Sequence, residues 1–410
     1  MSSIRITRRA ALATGGGAAL VATIPGHGAR AADASYRVGA LNPITGAGST
    51  YGGGMQKTIL FALEEVKKAG GVDGRPIEVY AEDTQTSPDS AVLAVRKLID
   101  ANKVEAILGT WSSSVSLAVQ PITNAAGCLL FHVSSAPALS SPAQNPKRLG
   151  FRFQAGSPQI GAAYAEIATK QGAKNPAVMA FNNDVQIAST SIFRSAWEKT
   201  GNKLAGSVVY EPNRTSYSAE LQRVLAGKPD LIVVSGYVPD TTIILREAFE
   251  AGNAAPIIIP GWAWGPAVQK ALGPEVLEGL IVFDSVPDSE GTAFKAYDAG
   301  YRAATGGPGV ANVYASMCYD MAVVLALAMQ KAGPGADNAG IAAAIAGIAG
   351  PPGQKVTSFA EGKAALKAGQ KISYEGASGP LDFDANGDAI SVFGVNQFKK
   401  GTLERLYLLK

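Results

Sequence analysis

The sequence predicts an α/β protein of two doubly wound parallel-sheet lobes joined by a multi-crossover hinge. Three observations carry this. Short β-branched runs alternate with helical runs along nearly the whole chain, which argues parallel sheets with helices on both faces. The alternation runs once to about residue 150 and restarts. The chain is 410 residues long, too long for one core, so two lobes are expected.

Taken in order, residues 1–32 read as a leader. Thr7-Arg8-Arg9-Ala10-Ala11-Leu12 has the twin-arginine form, an apolar stretch follows to Ile24, and Ala29-Arg30-Ala31 gives a small-x-small site. Cleavage is expected after Ala31 or Ala32, with delivery to the periplasm. The first lobe then reads as strand 36–41, helix 54–69, strand 77–81, helix 90–102, strand 104–108, a helix from Ser114 and strand 129–133. After Phe151-Arg152-Phe153 the pattern resumes: helix 158–171, strand 177–181, a helix from about Ala188, strand 204–210, helix 218–226, strand 231–235, helix 240–251 and strand 257–259. A strand at 280–283, a long helix at 313–332, a Gly/Ala-rich helix at 338–348 and a strand-rich tail from Leu381 close the chain. The tail has few elements of its own and is expected to complete both sheets. Residues 33–156 and 286–390 would form one lobe, and 157–285 with 391–410 the other.

Composition excludes several functions. There are 36 Lys+Arg and 33 Asp+Glu, a net of +3; the leader carries four of the arginines and no acid, so the remainder sits at −1. Nothing in that balance suggests nucleic acid. No later segment has 18 apolar residues without charge, so the mature chain is expected to be soluble. Cys128 and Cys318 both fall in apolar runs and read as core residues. His27 leaves with the leader, and His132 inside "LLFHVSS" reads as a core residue, which removes most catalytic triads and zinc sites.

The glycine run "YGGGMQKT" is not a phosphate loop, because Met55-Gln56 separate the glycines from Lys57. No Gly-x-Ser-x-Gly or Ser-x-x-Lys is present. "DFDANGD", Asp382 to Asp388, lacks the twelfth-position glutamate of a calcium loop and reads as a tight turn. No metal or cofactor is expected.

In open parallel sheets, ligands bind beyond the carboxyl ends of the strands. Those ends deliver Tyr51, Trp111-Ser112-Ser113-Ser114 and Ser134-Ser135 in the first lobe. In the second they deliver Asn182-Asn183-Asp184, Gly236-Tyr237 and Pro260-Gly261-Trp262-Ala263-Trp264. Serines at the start of a helix serve either as plain N-caps or as the grip on an anion. Hydroxyls in one lobe opposing aromatics in the other suit a small carboxylate with an apolar body.

The stretches "VGALNPITGAGSTYGGG", "AGGVDGRPIEVYAEDTQTSP", "VEAILGTWSSSVSLAVQPI", "FRFQAGS", "PDLIVVSGYVPDTTIILREAFEAG" and "GPLDFDANGD" stand in one order and spacing. In that order the chain resembles the branched-chain amino acid/amide type of periplasmic solute-binding protein, the receptor of an ABC importer. The resemblance implies a type I periplasmic binding fold, closure on a small-molecule ligand, a monomer and a membrane permease as partner. It also implies that Ser113 holds the ligand carboxylate, that Ser135 contacts carboxylate and ammonium, and that Tyr51, Tyr237 and Tyr314 line the side-chain pocket. Two positions depart. A wall tyrosine is replaced in Asp184-Val185-Gln186, and the acid that pairs with an amino acid's ammonium falls at Gly261-Trp262, where no carboxylate stands. A buried ammonium without a counter-charge is penalised by several kcal/mol, more than cation–π attraction to a tryptophan returns. The expected ligand is therefore an aromatic or apolar organic acid seated on Trp111, Trp262 and Tyr237. An α-amino acid is the family's default, with Asp184 or Asp284 as alternative sources of charge. A ligand-sensing subunit of a signalling system is the competing role; an enzyme is not expected.

Overall fold

The computed structural model describes residues 35–73, 75–287, 289–350 and 352–409. The expected leader lies outside the described residues. Strand β1 (Tyr36–Asn42) is buried on both faces and sits beside β2 (Ile77–Asp83) and β3 (Ala106–Gly109). With β4 (Leu129–His132) and β5 (Gly150–Arg152) they form a five-stranded parallel sheet of order β2-β1-β3-β4-β5. Its crossovers are α1 (Ser49–Lys68), α2 (Pro88–Arg96, continued by a widened turn at Lys97–Ala101) and α3 (Ser113–Ala126).

Helix α1 begins five residues before the expected start and runs through the three glycines. The reason is close packing: a Cβ on Gly52 would lie 1.9 Å from the Pro43 carbonyl oxygen. The glycines let the helix press onto the end of β1, which brings Tyr51 to the carboxyl-end edge of the sheet.

The second sheet contains β6 (Pro176–Phe181), β7 (Gly206–Tyr210), β8 (Leu231–Ser235), β9 (Ile257–Pro260) and β10 (Ile281–Ser285), all parallel. Helices α4 (Ser157–Lys170), α5 (Asp184–Glu198), α6 (Ser218–Leu225), α7 (Val238–Glu250) and α8 (Pro266–Leu277) connect them. Helix α5 starts at Asp184, four residues before the expected start, because the Asn183 side chain accepts the Gln186 N–H as an N-cap.

The chain then returns to the first sheet's helices through α9 (Thr292–Thr305) and α10 (Val313–Ala332), both packed on α1, followed by α11 (Asn338–Ile345). Among the described residues α10 is the one helix long and apolar enough to cross a membrane, and it is buried inside the protein. A three-stranded sheet that the sequence did not suggest follows: β11 (Gln354–Val356), then helix α12 (Phe359–Lys367), β12 (Ile372–Gly376) and β13 (Gly379–Pro380). Buried Asp320 of α10 anchors it, accepting from Tyr374 Oη, the Ala377 and Ser378 N–H groups and Ser378 Oγ. The last strands, β14 (Phe393–Lys399) and β15 (Thr402–Leu409), pair antiparallel onto β10 and complete only the second sheet. The expectation that the tail extends both sheets is corrected: before β14 its backbone pairing with the first sheet, among the described residues, is limited to the isolated bridge Arg152↔Asp388, beside which the Phe383 ring packs on Phe151.

Three segments cross between the sheets, after β5, after β10 and before β14. They are bonded side by side: Ser285 Oγ donates to Gln154 Oε1 at 3.3 Å, and the Val286 N–H to the Val392 carbonyl at 2.9 Å.

A candidate ligand cleft between two lobes

The turn from β3 to α3 is set by Thr110, a β-branched residue held at φ +60°, an uncommon conformation that costs on the order of 1–3 kcal/mol. Buried bonds hold it there: Ser116 Oγ donates to Thr110 Oγ1 at 2.8 Å, and the Val133 N–H to the Thr110 carbonyl at 3.2 Å. Ser112 stands at the cap position of α3, but its hydroxyl pairs with Ser114 Oγ at 3.0 Å and caps nothing. The plain N-cap reading therefore fails, and the first turn of α3 keeps its N–H groups for another acceptor.

Between the lobes lies a narrow cavity. The first lobe contributes Trp111, Ser112, Ser113, Val133, Ser135 and Tyr314; the hinge contributes Gln154; the second lobe contributes Val185, Gln186, Tyr237 and Trp262. The lobes meet around it. Trp111 and Tyr237 have ring centroids 5.8 Å apart, and Tyr51 Oη donates to the Trp264 carbonyl at 3.4 Å. The cavity wall among the described residues carries no acid and no base.

What it carries is hydrogen-bond donors. Ser113 Oγ accepts the N–H groups of Ser135 and Ala136, both at 3.2 Å, so its own proton is free to donate. Tyr237 Oη accepts from Asn183 Nδ2 at 3.2 Å and keeps its proton too; burial pushes its ionisation upward, so it stays a neutral donor. The indole Nε1–H of Trp262 is buried without an acceptor, and the buried Gln186 amide makes no hydrogen bond of normal geometry. Unpartnered buried donors cost roughly 1–3 kcal/mol each unless something fills them.

Of the residues expected at the site, Trp111, Ser112, Ser113, Ser135, Tyr237, Trp262 and Tyr314 line the cavity together. Tyr51 stands behind that wall, 5.6 Å from Trp111 and 5.0 Å from Tyr314 by ring centroids. Two expectations are corrected. Ser134 is buried away from the cavity, its hydroxyl bonded to Ser116 Oγ at 2.6 Å and the Trp111 carbonyl at 3.0 Å. Asp184 is exposed at the start of α5, and the next turn presents Val185 and Gln186 instead. Sequence reasoning missed Val133, Gln154, Val185 and Gln186. Only Val185 had a signal, standing where a wall tyrosine was expected.

Asp284, near the end of β10, has a different place. A Cβ on Gly261 would lie 2.0 Å from Asp284 Oδ2, so the glycine leaves the room this carboxyl fills. The Ser285 N–H donates to Oδ1 at 2.8 Å. Burial raises its pKa to about 7, and its charge reaches the phenols of Tyr51 and Tyr314.

One parallel and one mixed sheet, three crossovers and a cleft of opposed donors and aromatics define a two-lobed solute-binding protein. Residues 35–401 match the periplasmic binding protein family, and the chain belongs to it. It is similar to the leucine-binding protein of Thermotoga maritima, with 26% identity and a TM-score of 0.77 over 91% of this chain and 98% of that one. A solute-binding protein of an R. palustris ABC transporter, solved in complex with benzoate, shares the fold at 20% identity and TM-score 0.73, covering 91% of this chain and 96% of that one. A chemotactic signal transduction substrate-binding protein of Halobacterium salinarum is 24% identical over 382 residues, 91% of this chain and 89% of the relative.

Proposed function

We propose that this chain is the periplasmic receptor of an ABC importer and closes its lobes, residues 33–156 with 286–390 and 157–285 with 391–410, on an aromatic or apolar organic acid. The observation that carries this is the cavity's chemistry. Ser113, Ser135, Tyr237 and Trp262 offer neutral donors, and a carboxylate is an acceptor only. Aromatic rings surround those donors, and the wall holds no acid to repel the ligand or to pair with an ammonium. The ligand selects the closed form because it touches both lobes. The closed monomer then presents itself to a membrane permease. The benzoate complex of the R. palustris relative is in keeping with this reading; turnover of ligand has no support in the site.

A second reading is favoured by Asp284. Seated where Gly261 leaves space, its carboxyl could pair with the ammonium of an α-amino acid such as leucine. Thermal shift with benzoate, 4-hydroxybenzoate, leucine and valine decides between them. A ligand at a hundred times its Kd adds about 2.7 kcal/mol of stability, so the true class raises Tm by several degrees. Stabilisation by leucine or valine and none by the benzoates rejects the first reading. The Halobacterium relative raises a sensing role, which genetic linkage to a permease or to a signalling partner separates.

A further inference from the structure

The loop Ser134–Ala136 has every backbone polar group engaged, and one side chain supplies most of the carbonyl half. The Ser134 N–H donates to His132 Nδ1 at 3.2 Å, and those of Ser135 and Ala136 to Ser113 Oγ. The Ser135 carbonyl accepts from the N–H and Oγ of Ser157, at 2.9 and 2.8 Å, at the start of α4 in the other lobe. The carbonyls of Ser134 and Ala136 both accept from the guanidinium of Arg152, through Nη1 and through Nη2 at 2.9 Å.

Arg152 is 1% exposed and ends β5 just before the first crossover. Its remaining donors turn to the third crossover. Nε donates to Asp388 Oδ1 at 2.9 Å, and Nη2 to Ser140 Oγ at 2.6 Å; Ser140 in turn donates to Asp388 at 2.7 Å. The backbones interlock as well: the Arg152 N–H donates to the Gly387 carbonyl at 2.8 Å, and the Ala389 N–H to the Arg152 carbonyl at 2.9 Å. The "DFDANGD" turn, unused by the ligand cavity, thus supplies the counter-charge of a buried arginine that holds the cavity's serine loop.

We propose that Arg152 and Asp388 are positioning residues that fix Ser135 and the Ser113 acceptor geometry and couple that loop to the hinge crossover. Neither lines the cavity. Their action runs through the Ser134 and Ala136 carbonyls: pulling on these orients the two following peptide planes, whose N–H groups hold Ser113 Oγ and leave its proton for the ligand. Movement of the crossover on closure is transmitted by the same guanidinium.

The test uses the purified protein with Asp388→Asn, Asp388→Glu and Arg152→Lys. Without ligand, hydrogen exchange is followed at residues 133–137, with residues 231–235 as the control in the other lobe. Asp388→Asn should speed exchange of the Ser135 and Ala136 amides about tenfold and leave the control unchanged, and Asp388→Glu should restore protection. Unchanged loop exchange, or equal loss in both lobes, overturns the proposal. In the second arm, benzoate and leucine are titrated into Ser113→Ala, Asp388→Asn and the double variant. Asp388→Asn should weaken whichever probe binds about tenfold and add nothing on top of Ser113→Ala; additive losses overturn the coupling. Only this arm rests on the ligand reading. If neither probe binds the parent protein, that reading fails while the exchange arm still decides the positioning role.

Discussion

At the scale of single residues, Ser113 holds the Ser135–Ala136 amides and, on the proposed reading, donates to the ligand; its replacement should show both. Ser113→Ala removes a donor to the ligand carboxylate, a charge-assisted bond worth about 1.5–3 kcal/mol, so affinity should fall at least tenfold by calorimetry. It also strands the Ser135 and Ala136 N–H groups, so the unliganded protein should lose about 1–3 kcal/mol in denaturant unfolding. Ser135→Ala strands nothing and should lower affinity at nearly unchanged stability. Trp262→Phe keeps the buried ring and removes the unpartnered N–H. It should weaken acid ligands without lowering the Tm of the ligand-free protein; a large Tm loss would mark the indole as a packing residue. Asp284 gives the pH signature. Its pKa is raised by burial to about 7, so its contribution to stability is full below the unfolded value of about 3.9 and fades as pH rises through 7. Asp240, raised by burial to about 6, acts in the same sense. His132, held neutral by burial and by Arg152, acts oppositely and loses stability as pH falls below its ordinary range. Asp284→Asn should therefore flatten the decline in Tm between pH 5 and 8 relative to the parent. An acid ligand should bind more weakly as pH rises through 7, and an amino acid more tightly.

Elements carry the next constraint. Helix α1 presses onto β1 only because Gly52 has no side chain. Gly52→Ala should cost about 1–3 kcal/mol by overpacking and displace Tyr51, lowering affinity as well. The strand and helix rhythm was legible because buried parallel strands are near-continuous apolar runs and their crossovers are amphipathic. The start of α1 was not, because three glycines look like a turn until the partner they approach is known. The small β11–β13 sheet escaped for a similar reason. Gln354–Val356 is exposed at two of three positions and β13 has two residues, so neither leaves a period to read; β11 pairs with β12, and β12 and the turn into β13 are held by a remote carboxylate, Asp320 on α10.

For the whole molecule, the proposed function turns on closure of the lobes. The two lobes touch through Trp111 and Tyr237 and through Tyr51 and the Trp264 carbonyl. Ligand should shift the population towards this arrangement, seen as a smaller radius of gyration in solution scattering; an unchanged radius at saturating ligand would contradict a hinge mechanism. The sequence alone determined the α/β class, the pairing of two lobes, the family and the strand ends that border the cleft, because these follow from local periodicity and ordered motifs. Tertiary structure alone decided which of those ends meet. It withdrew Ser134 and Asp184, admitted Gln154 and Gln186, and placed Asp284 in the gap at Gly261. The physical reason is that a hydroxyl or carboxyl acquires its role from whatever satisfies it in space, and those partners stand up to hundreds of residues away along the chain.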